Sequence, residues 1–231
     1  IFSLITGNLT SAKKICLLAG FFLSIFLLYK THSRGAWLSS YTSWLIYAFF
    51  AKNKKILLVL FFIALAAPFV LPKDAVVHVN LERKEQSLAE RYRLWERATQ
   101  VITQEPFFGC GINTYTKNYQ KFDSVKSWRV PDYYVHNGYL QLAAETGLIA
   151  LGLFLTLLWI GIRSGYFAFQ RAVDRTRLLI GALLTGFIAL LIQASFDTTL
   201  HNLQSAVLIW FFLGILFAVG NLNRSETLNA A

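Results

Sequence analysis

The feature that most constrains this chain is a series of apolar blocks, each approaching the length needed to cross a bilayer. A membrane-spanning α-helix usually needs about 20 predominantly apolar residues. Several blocks are shorter, but flanking Lys and Arg side chains can extend to the membrane interface and compensate. Only 15% of the residues are charged, too few to cover a soluble domain of this length. The sequence therefore predicts an all-α, polytopic transmembrane helical bundle with six spans: Ile15–Tyr29, Ala36–Ala51, Ile56–Leu71, Leu148–Ile162, Leu178–Phe196 and Leu203–Val219.

The basic residues predict how these spans are oriented. The net charge is +10, and most basic residues outside the central polar segment lie in short linkers between blocks, which argues against a nucleic-acid partner. Four basic stretches fall on one side of the membrane: Lys13–Lys14, Lys52–Lys55, Arg163–Arg177 and Arg224. The positive-inside rule makes that side cytoplasmic. The opposite, extracytoplasmic side then receives three segments: Lys30–Gly35, Pro72–Glu145 and Asp197–Asn202.

This topology divides the chain into three parts. We assign residues 1–71 to N-terminal membrane spans, residues 72–146 to an extracytoplasmic loop, and residues 147–231 to C-terminal spans. The chain begins at Ile1 and contains no methionine, so we interpret it as the C-terminal part of a longer protein. Cys16 lies in an apolar block and Cys110 in the polar loop, so we expect no disulfide between them.

The loop is predicted to contain an amphipathic helix over Leu81–Gln104. Five of its residues recur at spacings of four and three and so share one face: Leu88, Tyr92, Trp95, Thr99 and Ile102. Pro106 and Gly109 end the pattern, and "PFFGCGINTY" is typical of a turn. The following "SVKSWRVPDYYV" is predicted to be an aromatic loop near the lipid headgroups.

Motifs for a bound metal or nucleotide are missing from the sequence. "GCGINT" has two glycines but no third, and it follows a predicted helix rather than a strand. No Cys or His cluster has zinc spacing, and Asp74, Asp123 and Asp132 are too far apart to suggest a divalent-metal site. We therefore expect activity without a metal or another cofactor.

Arginines and histidines are the remaining groups on the predicted extracytoplasmic side. Arg34 stands at the mouth of the second block, where an arginine extending to headgroups is equally reasonable. Arg91 lies four residues from Trp95 and shares its helix face, whereas Arg93 points elsewhere and is typical of a solvated charge. His136 begins the helix leading into the fourth block, a position that also suits a helix-capping or interfacial histidine.

Three motifs occur in the order and membrane context of one known family. They are "SRGAWL" (Ser33–Leu38), "RYRLWERATQVITQEPFFGCG" (Arg91–Gly111) and "HNGYLQLAAETGLIALG" (His136–Gly152). On these motifs the chain resembles the O-antigen ligase and Wzy-polymerase family of bacterial inner-membrane glycosyltransferases. The resemblance extends from about the second block to the fifth.

The resemblance implies a GT-C-like helical fold and a metal-independent glycosyltransferase acting at the periplasmic face. Such enzymes move a glycan from undecaprenyl-diphosphate to an acceptor hydroxyl. It further implies that Arg34 and Arg91 bind the diphosphate and that His136 is catalytic and serves the acceptor. Arg93, Asn137 and Asp132 are candidates for supporting roles, with Asp132 close enough in sequence to orient His136.

The acceptor is the open part of this interpretation. We expect lipid A–core, as in O-antigen ligases and lipopolysaccharide biosynthesis. A growing polysaccharide or a protein hydroxyl is the alternative within the family. A transporter or flippase of lipid-linked sugars is the alternative from another class, although such a protein would be expected to carry ionisable or polar groups deep within its spans, and the six blocks contain no charged residue.

Overall fold

The described part of the chain is all-helical. The computed structural model describes residues 10–31, 33–52, 54, 57–58, 60, 81–122 and 134–229. Seven α-helices have bounds within the described residues, and we number them in chain order: α1 (Ser11–Lys30), α2 (Arg34–Phe50), α3 (Leu81–Gln104), α4 (Tyr115–Tyr119), α5 (Gly138–Arg171), α6 (Asp174–Ala194) and α7 (Leu203–Asn229). Residues 54, 57–58 and 60 are helical as well. The predicted all-α fold is confirmed.

Four of the described helices are long and apolar enough to cross a membrane: Ser11–Lys30, Gly138–Arg171, Asp174–Ala194 and Leu203–Asn221. They coincide with four of the predicted spans. The predicted second span, Ala36–Ala51, corresponds to the 17-residue helix α2. Ser33 caps its start, because the Ser33 side chain accepts a hydrogen bond from the Ala36 backbone N–H at 3.2 Å. Most of the third block, Ile56–Leu71, lies outside the described residues. The chain is a polytopic helical membrane protein.

The chain forms two compact units. The first comprises Ile1–Leu65, Gly161–Ala189 and Phe212–Ala231, and the second comprises Ala66–Ile160 and Leu190–Phe211. In the first unit, Ala168, Phe169, Ala172 and Ile180 form a buried cluster. Glycine lets the helices of this unit approach closely, because a Cβ on Gly165 would contact the Leu216 side chain at 2.5 Å.

The core of the second unit forms on one face of α3. Leu94, Ala98 and Val101 are at most 4% exposed and pack with buried residues from later in the chain: Tyr115, Tyr119, Val135 and Ala144. Burial of these apolar side chains is what stabilises an amphipathic helix against its neighbours. The predicted bounds Leu81–Gln104 are confirmed.

The predicted apolar face of α3 was partly wrong. Trp95 and Ile102 do pack at the edge of the core. Tyr92, however, is 66% exposed, and Thr99 is exposed with its hydroxyl bonded to the Glu96 carbonyl of its own helix. The buried stripe lies one position to the side, because Tyr92 and Thr99 are amphipathic and fit the spacing without needing burial. The Leu88 side chain lies outside the described residues.

Helix α5 contains a kink that joins it to the turn after α3. Gly147 has φ 82° and ψ 170°, which breaks the helical hydrogen-bond ladder. In an unbroken helix the Leu148 N–H would bond the Ala144 carbonyl. Here Leu148 N–H donates to the Pro106 carbonyl at 2.8 Å, and Ala144 accepts from Cys110 N–H at 2.9 Å. Gly111 N–H likewise donates to the Glu145 carbonyl at 3.0 Å, so the turn satisfies backbone groups that the kink frees.

Glycine is required on both sides of this junction. Gly109 and Gly147 have φ of 70° and 82°, in the region that disfavours a Cβ. A Cβ on Gly147 would collide with the Phe107 backbone, and one on Gly109 with the Glu145 backbone. The turn predicted at "PFFGCGINTY" is therefore confirmed. Gly109 is needed there because a larger residue would collide with the Glu145 backbone.

We expect Gly147→Ala and Gly109→Ala each to lower the free energy of unfolding by more than ~2 kcal/mol, since the left-handed backbone and the collision add. Thermal unfolding of the detergent-solubilised protein would measure this effect. Gly152→Ala is the matched control in the same helix, because nothing lies within 4 Å of a Cβ there. Equal unfolding midpoints for Gly147→Ala and Gly152→Ala would contradict the role of the junction.

Candidate functional site

Helix α3 places Arg91 and Trp95 against two later segments of the second unit. The partly buried Arg91 donates from Nη1 to the Phe196 carbonyl at 3.0 Å. Trp95, one helical turn further on, donates from Nε1 to the Val135 carbonyl at 3.1 Å. Phe196, which accepts from Arg91, immediately precedes Asp197 in the sequence. Val135, which accepts from Trp95, immediately precedes His136.

His136 lies just outside the N-terminus of α5 and beside Asp197. Its φ of 51° is left-handed, an uncommon conformation for a residue with a side chain. The distance from His136 Nδ1 to Asp197 Oδ1 is 3.7 Å, longer than a hydrogen bond, and the two side chains are 47% and 54% exposed. The Gly138 N–H donates to the Asp197 carbonyl at 3.1 Å, which holds the two segments together. An imidazole that is reachable from solvent and close to a carboxylate suits proton transfer.

Asn137 is the helix cap. Its Oδ1 accepts hydrogen bonds at 3.1 Å from the backbone N–H groups of Tyr139 and Leu140, the usual bonds of an N-cap side chain. The capping alternative considered for His136 therefore belongs to its neighbour. His136 is left free of that task.

A buried carboxylate lies two turns into α5. Glu145 is 3% exposed, and its Oε2 is 3.0 Å from Nε2 of His201. Gln141, also buried, donates from Nε2 to Glu145 Oε1 at 3.4 Å. Glu145 precedes both the Gly147 kink and the apolar stretch that begins at Leu148.

Metal-binding groups are not assembled in the described residues. Across residues 10–122 and 134–229, excluding the gaps named above, no three His, Cys, Asp or Glu side chains are placed to hold one ion. Cys16 and Cys110 are both free, as predicted.

The chain matches the model of a known protein family. A family model described as O-antigen ligase matches residues 19–155, more than half of the chain. The chain belongs to the O-antigen ligase family. The matched range contains Arg34, Arg91, His136 and Glu145, while Asp197 and His201 lie beyond it. Curated proteins and solved structures gave no significant match.

Membership of the O-antigen ligase family establishes the class of the protein. The family is of the glycosyltransferase and ligase type, so the chain is a membrane enzyme of that type, connected with O-antigen. Its substrates are glycans and lipid-linked molecules in general terms.

The structure places the predicted site residues of this O-antigen ligase family member as follows. Arg91 and His136 lie in the second unit and contact the adjacent residues Phe196 and Asp197. Arg34 is the first residue of α2 in the first unit, and its side chain lies outside the described residues. Arg93 is exposed, as expected of a solvated charge. Asp132 lies outside the described residues, so its role stays a prediction.

Sequence reasoning missed three partners: Asp197 beside His136, and the Glu145–His201 pair. One signal was available, because Asp197 and His201 lie in a short polar linker on the same predicted side as His136. The sequence of that linker does not indicate that it contacts His136 and Glu145, which lie far earlier in the chain.

Proposed function

We propose that the chain transfers a glycan from undecaprenyl-diphosphate to an acceptor hydroxyl at the periplasmic face of the bacterial inner membrane, with lipid A–core as the acceptor. One observation carries the proposal: the residues proposed to serve donor and acceptor meet consecutive residues of one turn. Arg91 donates to the Phe196 carbonyl, and His136 Nδ1 lies 3.7 Å from Asp197 Oδ1. A phosphate-binding cation and a base must be held in fixed relation for such a transfer.

The proposed role of Arg91 is to stabilise the leaving diphosphate. Negative charge builds on that group as the sugar–oxygen bond breaks, and an always-charged, forked guanidinium is suited to offset it. A guanidinium has five N–H donors, so the bond from Nη1 to the Phe196 carbonyl uses one of them and fixes the direction of the fork. Arg34 as a second diphosphate ligand stays a prediction that rests on the family resemblance.

The proposed role of His136 is to accept the proton of the attacking hydroxyl. Asp197 lies on the Nδ1 side, which favours the tautomer with hydrogen on Nδ1 and leaves the Nε2 lone pair for the acceptor. In the reaction, the acceptor oxygen bonds the anomeric carbon while its proton moves to Nε2. The bond from that carbon to the diphosphate breaks, and undecaprenyl diphosphate leaves.

Reconstitution in proteoliposomes tests the function. The purified protein is supplied with glycan on undecaprenyl diphosphate and with lipid A–core, and the products are separated by mass. Glycan on lipid A–core with release of undecaprenyl diphosphate supports the proposal. Longer glycans on the carrier would instead indicate a polymerase, and carrier movement across the bilayer without transfer would indicate a transporter. Surface glycans of a strain lacking the gene provide the same distinction in cells.

We expect the transfer rate to be unchanged by EDTA. The reason is the lack of suitable metal ligands, because the aspartates of the polar loop are separated in the sequence and no Cys or His residues have zinc-binding spacing. The measurement is the proteoliposome assay after EDTA treatment, with and without added Mg²⁺ or Mn²⁺. Loss of transfer that added metal restores would contradict metal independence without affecting the roles of Arg91 and His136.

A further inference from the structure

The Glu145–His201 contact is the buried link between α5 and the segment that connects α6 to α7. Glu145 is 3% exposed and His201 20% exposed, against about half for His136 and Asp197. Both carboxylate oxygens are engaged, Oε2 with His201 and Oε1 with Gln141. His201 Nδ1 is buried without a hydrogen-bond partner among the described residues, so the bond at Nε2 is the polar contact seen to orient the ring.

The segment that His201 anchors is a compact turn, residues 195–202. Two local hydrogen bonds run between His201 and Asp197, because His201 N–H donates to the Thr198 carbonyl at 2.9 Å and Thr198 N–H donates to Asp197 Oδ1 at 2.8 Å. The turn rests directly on the start of α5, where a Cβ on Gly138 would approach Leu200 Cγ at 2.9 Å. We therefore expect a displacement of His201 to move Asp197, four residues earlier.

This turn carries both groups that meet the proposed site. The Phe196 carbonyl accepts from Arg91, and Asp197 lies beside His136. The Asp197–His136 contact is exposed and 3.7 Å long, so it cannot by itself fix the position of the turn. A hydrogen bond to a buried carboxylate is stronger and more directional than one in water.

We propose that Glu145 and His201 are positioning residues that hold the 195–202 turn, and through it the Phe196 carbonyl and Asp197, in register with Arg91 and His136. The inference rests on the proposed function, since it assigns what orients that same site. Neither residue touches substrate. They act by keeping the base and the cation in one geometry, where a displacement of about 1 Å can cost ~10²-fold in rate.

Three substitutions at His201 test the proposal. His201→Leu removes the bond to Glu145, and His201→Asn replaces the ring with an amide too short to reach it. His201→Gln places an amide N–H near the position of Nε2 and should restore the bond. We expect Leu and Asn to lower kcat of transfer by ~10–100-fold, the range seen when an orienting partner is lost, and Gln to stay within about threefold of the native rate.

A double-mutant cycle with Asp197→Asn separates positioning from stability. If His201 acts through the turn, Asp197→Asn costs activity in the native background but little more in the His201→Asn background. Tyr139→Phe is the matched control, because it removes a hydrogen bond of the same unit, from Tyr139 Oη to the Leu191 carbonyl at 2.8 Å, without touching the turn. Tyr139→Phe should lower the unfolding midpoint. Its effect on the transfer rate should simply add to that of Asp197→Asn in the double mutant.

Additive losses for His201→Asn and Asp197→Asn would overturn the positioning role, as would equal losses for His201→Gln and His201→Asn. The proposed function is judged separately by His136→Asn. If His136→Asn abolishes transfer while the cycle is additive, the site stands and only the positioning role fails. If His136→Asn transfers normally, the proposed function fails whatever the cycle gives.

Discussion

Replacing His136 with asparagine or alanine is expected to lower glycan transfer by ~10²–10⁴-fold, the usual range for loss of a general base. Neither replacement can take the proton of the acceptor hydroxyl. Asparagine is the sharper variant, because it tolerates the left-handed φ of 51° that His136 adopts and so leaves the backbone unchanged. The measurement is kcat with a saturating diphosphate-linked donor and lipid A–core.

The structure indicates that the loss should be one of activity and not of folding. The His136 side chain is 47% exposed, and the start of α5 is capped by Asn137 instead. The unfolding midpoint of His136→Asn should therefore match the native protein. His78→Ala is the control, since His78 lies in the predicted loop at residues 72–146 but outside the three family motifs. Native kcat in His136→Asn would remove the histidine from the mechanism.

Local patterns in the sequence were sufficient for the helices. The bounds of α3 followed from an amphipathic repeat that ends before Pro106, and four of the predicted spans coincide with described membrane-length helices. Both signals are local, because period and length are properties of a single stretch of chain. The orientation of the spans and the division at residues 71 and 146 stay predictions.

Contacts between distant segments were beyond what the pattern could indicate. Gln141 and Glu145 fall in the polar segment predicted to precede the fourth block, yet both are buried. Glu145 is paired there with His201, 56 residues further along the chain. Arg91 likewise owes its orientation to the carbonyl of Phe196, 105 residues away, and a backbone acceptor has no sequence signature. The residues of the candidate site could be predicted from the sequence, but the residues that they contact could not.

Replacing Arg91 with alanine is expected to lower kcat of transfer by ~10²–10³-fold, the range for removing one preorganised donor to a developing anion. Arg91→Lys should recover little of this loss. Lysine keeps the positive charge but presents a point charge on a flexible stem, and it cannot both bond the Phe196 carbonyl and grip a phosphate with a planar fork. The measurement is kcat and KM for the diphosphate-linked donor in proteoliposomes, compared between Arg91→Ala, Arg91→Lys and the native protein.

Arg93 supplies the matched control, because it lies two positions away on the same helix, carries the same charge, and is exposed where Arg91 is partly buried. A general effect of positive charge near the membrane would make Arg93→Ala and Arg91→Ala lose transfer alike. The geometry instead assigns the effect to one guanidinium, since Arg91 donates to the Phe196 carbonyl of the 195–202 turn, whereas Arg93 lies on another face of α3 and is exposed. Near-native transfer by Arg93→Ala beside a large loss in Arg91→Ala is the expected result, and similar losses in both would contradict a specific diphosphate contact.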